Sequence, residues 1–127
     1  MIRIDHVGVP AHDRLEAASF VTRVLDLGNN VSDDGRFAAV RVDVTFTLDF
    51  FDAPQVEPMH VAFAADDVTF DRIIGQLRSL GTSYGSQPND PTNGRTDHPL
   101  AEDGVYFRTP DGHLFEVKSS AVKAEGR

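Results

Sequence analysis

Apolar residues at Phe70, Ile73, Ile74, Leu77 and Leu80 recur with the three- and four-residue spacing of one helix face. Asp66 or Asp67 can cap the start of that helix, and Gly81 suits the position just past its end. Leu15, Ala18, Val21, Val24 and Leu25 repeat the pattern nearer the N-terminus. There Asp13, with Glu16 three residues on, resembles a capping box, and Gly28 closes the segment. Other stretches alternate as half-buried strands do. "IRIDHVGV" and "MHVAFA" precede the helices, "FAAVRVDV" and "VTFTLDFF" follow the first, and "VYFR" and "HLFEV" follow the second, with "PDG" as a turn.

These elements form an internal repeat. In each copy a His-Val pair sits in an extended run and is followed by a polar break, an amphipathic helix and a glycine. His6 and Gly28 lie 22 positions apart, His60 and Gly81 21. The expectation is an α+β fold of two tandem βαβββ modules, module one over 1–53 and module two over 57–119, in a single domain of 1–127 with a flexible tail at 120–127. Gly85 to Gly104 is the one long turn-rich loop, sized for a lid or substrate loop.

Period two assigns faces. His6 shares a face with Ile2, Ile4 and Gly8, and His60 with Ala62 and Ala64. Thr45, Thr47 and Asp49 oppose Phe46, Leu48 and Phe50, while Leu114, Glu116 and Lys118 oppose His113, Phe115 and Val117. Large apolar groups thus go toward the helices, and small or polar ones toward a concave side. His6 and His60 stand on the first strand of each module, Asp49 and Glu116 on the last.

Composition narrows the chemistry. The net charge is -8, from 20 acidic and 12 basic residues, with no stripe of Lys and Arg. Nucleic acid and anionic membranes are therefore not expected partners. Cysteine is absent, so any metal must be held by His and carboxylate. No targeting segment or apolar run of spanning length is apparent, and a cytoplasmic protein is expected.

The duplicated plan, the His in each first strand and the closing "TPDGHLFE" resemble the vicinal oxygen chelate superfamily of glyoxalase I, bleomycin-resistance proteins, extradiol dioxygenases, fosfomycin-resistance transferases and methylmalonyl-CoA epimerases. The resemblance implies a curved mixed sheet forming a cup with helices on its outer face, and one divalent metal ion (Fe, Mn, Ni or Zn) at its base. It assigns His6, His60 and Glu116 as metal ligands and Asp49 as a fourth ligand or base. Two imidazoles and a carboxylate leave open positions for a substrate that chelates through adjacent oxygens. Tyr106 and His98 become catalytic candidates, the first in "YFRTPDGHLFE", similar to a dioxygenase stretch with an assisting Tyr, the second in "GRTDH" as a proton shuttle over the site. The function implied is a metal-dependent enzyme of the glyoxalase or dioxygenase type acting on a small oxygenated substrate. The alternative is a metal-free protein sequestering a cationic drug. A homodimer is also implied, in which a site can be shared between subunits.

Each residue has a plainer reading. A strand His can be a hydrogen-bonded structural residue, Asp49 a solvated edge carboxylate, and Glu116 a partner of Arg41 or Arg108. His12 reads as a surface residue at a helix start, and His113 as packed beneath the sheet.

Overall fold

The structure, a computed structural model, describes residues 1–98 and 103–119. The expected tail of 120–127 lies outside the described residues. The chain divides into two compact units, Met1–Glu57 and Pro58–Arg127.

In the first unit β1 (His6–Ala11) leads into α1 (Arg14–Val24), followed by β2 (Val31–Asp33), β3 (Phe37–Asp43) and β4 (Phe46–Asp52). The sheet order is β1-β4-β3-β2, with β1 parallel to β4 and the other pairs antiparallel. Asp13 caps α1, accepting from the backbone N–H groups of Leu15 and Glu16. Ala17, Ala18, Val21, Val24 and Leu25 are buried with Val9, Ala38, Val40, Leu48 and Phe50 of the strands.

Two expectations are corrected here. The first strand begins at His6, not Ile2, because its only partner, β4, begins at Phe46, and the register sets His6 beside Thr47. Among the described residues Ile2 and Ile4 have no strand partner, and both are exposed. Leu15, in the first turn of α1, is likewise exposed. The short edge strand β2, which the periodicity does not announce, completes four strands.

In the second unit β5 (His60–Ala65) leads into α2 (Asp67–Ser79), then β6 (Gly104–Arg108) and β7 (Leu114–Ser119). The order is β5-β7-β6, with β5 parallel and β6 antiparallel to β7. Asp66 caps α2 through the Thr69 N–H, and Gly81 ends it at φ 68°. The left-handed turn suits a residue without Cβ. Phe70, Ile73, Ile74 and Leu77 are buried with Val105, Phe107, Phe115 and Val117. The Phe115 ring meets Phe63 at 5.4 Å and Phe107 at 6.0 Å between centroids.

This unit is βαββ among the described residues, not βαβββ. Pro88 and Pro91 supply no N–H, and Asn93 accepts from the Ser86 N–H while Gly94 donates to the Tyr84 carbonyl. That chemistry folds the segment into turns, and among the described residues its one β-bridge to β6 is at Gly85, which exchanges both backbone bonds with Tyr106. A Cβ on Gly85 would stand 2.3 Å from the Asp90 carbonyl oxygen, so the close approach requires glycine. The two sheets of four and three strands with one helix each are an α+β fold.

Arg14 ties three elements of the first unit together. Its guanidinium takes Asp33 of β2 with two nitrogens (2.8 and 3.1 Å) and Asp52 of β4 with a third (2.7 Å). Its own backbone N–H also donates to Asp52. The side-chain bonds from Arg14 hold Asp33 below the usual carboxylate range, and the backbone N–H of Arg14 does most of the same for Asp52. Carboxylates depressed in the folded state add stability above their unfolded pKa, about 3.9, and lose it as pH falls through the folded value. Arg14→Met is therefore expected to lower Tm most at pH 7, with the gap to the parent closing below about pH 4. Thermal melts across that range check it, and a gap independent of pH would refute the role of this clamp.

Candidate functional site

Both units place a histidine and a carboxylate in the same register. In the first, His6 pairs with Thr47 and Gly8 with Asp49; in the second, His60 pairs with Leu114 and Ala62 with Glu116. The carboxylate thus stands two residues along the last strand from the residue facing the histidine, on the same side of its sheet. The side-chain lengths then produce different outcomes.

Glu116 has the reach to meet its histidine. Its Oε1 accepts from His60 Nε2 at 2.9 Å, and its Oε2 accepts from His98 Nε2 at 2.6 Å. Tyr106, opposite Glu116 on β6, places its hydroxyl 3.3 Å from His98 Nε2. The His98 and Tyr106 rings stack at 5.4 Å with 12° between planes. Burial alone would push the Glu116 carboxyl up. The hydrogen bonds and charges of His98 and His60 outweigh it and hold the group below its ordinary value. Glu116 and His98 are buried, while the His60 side chain is 51% exposed, so the cluster is open on the His60 side. Among the described residues of its unit Glu116 has no arginine partner, and Arg108 donates to the Gly112 carbonyl instead.

Asp49, one methylene shorter, accepts instead from Thr47 Oγ1 at 2.9 Å. His6 turns Nδ1 to Asp5 Oδ2 at 2.9 Å. That bond, followed by the charge of Asp49, raises the His6 pKa. With Nδ1 held by Asp5, Nε2 is the ring nitrogen left to act as a ligand.

His98, expected over the site as a proton shuttle, is packed into it at 1% exposure. His113 lies under the sheet as the alternation implies, its Nδ1 accepting from the Met59 N–H, and His12 is exposed. Sequence reasoning missed Asp5 and Gly104. A glycine opening a strand signals close approach by another group, and here that group is His98.

Among the described residues no three His, Cys, Asp or Glu side chains form a ready-made metal cluster. The pair His60 and Glu116 nevertheless offers an imidazole and a carboxylate, donor types that a divalent ion accepts. Ligand bonds of about 2.0–2.2 Å meeting near a right angle set their donors about 3 Å apart, and Nε2 and Oε1 stand at 2.9 Å.

Burial, then the charge of Glu116, raises the Tyr106 pKa. The chain has two tyrosines and no tryptophan, so Tyr84→Phe leaves one phenol to follow by ultraviolet absorbance. In chelator-treated Tyr84→Phe protein, ionisation is expected above the ordinary midpoint of about 10. A midpoint at or below that value would contradict the buried contact with Glu116.

The fold of the chain has counterparts among solved structures. Two solved structures align along nearly their whole length. Oxidase ChaP-H1 is 31% identical, with all of both chains covered and a TM-score of 0.87. Oxidase ChaP-H2 is 29% identical over 99% of this chain and 98% of that one, with a TM-score of 0.86. TnmS3, an antibiotic binding protein from Streptomyces sp. CB03234, shares the fold at 20% identity, covering 94% of this chain and 96% of that one, with a TM-score of 0.68. The model of the Glyoxalase/Bleomycin resistance protein/Dioxygenase superfamily matches residues 3–117, and the chain belongs to that superfamily.

Proposed function

We propose that the protein is a metal-dependent enzyme of the glyoxalase or dioxygenase type, acting on a small molecule that offers two adjacent oxygens. The observation that carries this reading is the buried carboxylate of Glu116, one oxygen turned to the half-exposed His60 at 2.9 Å. A protein that only sequesters a drug has no need of a buried carboxylate aimed at an exposed imidazole. Full-length similarity at 31% identity to a protein named an oxidase ranks oxidative chemistry first within the reading.

His60 and Glu116 would hold the ion, and the superfamily resemblance adds His6 through Nε2, with Asp49 as a further ligand or base. A divalent ion (Fe, Mn, Ni or Zn) supplies Lewis acidity toward the substrate's adjacent oxygens. The chain's own residues do the rest. His60 and Glu116 present neutral and anionic donors on one side. Tyr106, its pKa raised, keeps its phenolic proton at neutral pH and remains a hydrogen-bond donor. In the first unit the sheet face bearing His6 and Thr47 also carries a depression of about 250 Å³, lined in part by Asn30, Ser32, Arg41 and Thr47. Amide, hydroxyl and guanidinium donors there suit a small oxygenated molecule.

The test is metal stoichiometry by elemental analysis after reconstitution of untagged protein with Fe(II), Mn, Ni or Zn. About one ion per site is expected, lost in both His60→Ala and Glu116→Ala with circular dichroism unchanged. No uptake by the parent would overturn the reading and favour the metal-free binding protein.

A further inference from the structure

His98 meets Glu116 on the carboxylate oxygen that faces away from His60. The His98 Nε2 lies 2.6 Å from Oε2, while Oε1 is turned to His60. The His98 side chain is fully buried and that of Glu116 11% exposed, so no bulk water competes for this bond. A hydrogen bond to a charged acceptor in such surroundings is among the stronger kinds.

The backbone is built to place the imidazole there. The Thr96 carbonyl accepts from the N–H of both His98 and Gly104, which sets the His98 ring against the start of β6. A Cβ on Gly104 would lie 2.5 to 2.6 Å from Cδ2, Cβ and Cγ of His98. Only glycine leaves room for the ring, and Tyr106, two residues further along β6, stacks on it.

We infer that His98 is a positioning residue, not a proton shuttle: with Gly104 as its seat, it occupies Oε2 of Glu116 and leaves Oε1 as the single oxygen available to a ligand shared with His60. A carboxylate whose second oxygen is held cannot swing to bind through both oxygens, and its rotation is stopped before any ion arrives. The part of this inference that concerns an ion rests on the proposed metal-dependent function; the orientation of Glu116 does not.

Two measurements separate them. In metal-free protein, proton NMR should show a downfield, exchange-protected imidazole N–H from His98 that disappears in His98→Gln and moves in Glu116→Gln. Its absence would overturn the inference even if metal binds. In metal-competent protein, competition against a chromophoric chelator should give His98→Leu an affinity about 10–100-fold weaker, as loss of a group orienting a ligand does. Stoichiometry should stay at one ion. His98→Gln, whose amide can still donate to Oε2, should recover part of the loss, and Gly104→Ala should reproduce it with the imidazole still in the chain. Loss of stoichiometric binding in His98→Leu, with no recovery by Gln, would make His98 a ligand itself and overturn the positioning role. Unchanged affinity in a folded His98→Leu would overturn it too. If the parent binds no metal, the proposed function fails, and the NMR signal alone decides the orientation of Glu116.

Discussion

A carboxylate cannot be buried between strands without partners. An unpaired ion out of water costs several kcal/mol even after the surroundings relax. Glu116 is 8% exposed, and the second unit is arranged around that requirement. His60 reaches it from β5 and His98 from the loop that precedes β6, while Tyr106 of β6 stands opposite it with its hydroxyl on His98. The loop's path follows from the same need. Its described residues fold through turns, and the Thr96 carbonyl, accepting from the N–H of both His98 and Gly104, helps hold His98 at the carboxylate.

The first unit shows what the repeated plan looks like without that constraint. Its histidine and carboxylate hold the same register, but Asp49 is satisfied by Thr47 and His6 by Asp5, and the sheet face stays open. The unit is secured elsewhere, by Arg14 joining α1 to β2 and β4. The two copies of the plan therefore differ in what their polar residues meet. One copy keeps an open polar face with a depression lined by hydrogen-bonding side chains, and the other encloses a preoriented carboxylate with one exposed imidazole.

Within the superfamily this division suits a small-molecule site whose donors are fixed in advance. Rigid support of a donor lowers the cost of ordering it when a ligand binds. The stacked pair of His98 and Tyr106, closed in by Gly104, is such support.

Sequence alone determined the features that depend on neighbours in the chain. Alternation placed Glu116 opposite Phe115 and Val117, the three- and four-residue spacing set the buried face of α2, and Asp13 and Asp66 capped their helices as expected. The repeat of His6 and His60 pointed to the superfamily because residue type and spacing carry that signal without tertiary contacts. Contacts between distant segments were decided only by the tertiary structure. Where β1 begins depends on the length of its partner strand, and the missing strand of the second unit depends on turns closed by Asn93 and Gly94. That His98 would be buried against Glu116, 18 positions away, depends on a cavity created by the absence of a single Cβ at Gly104. Hydrophobic period reports which face a side chain takes, but the partner it meets there is fixed by packing, which no local pattern encodes.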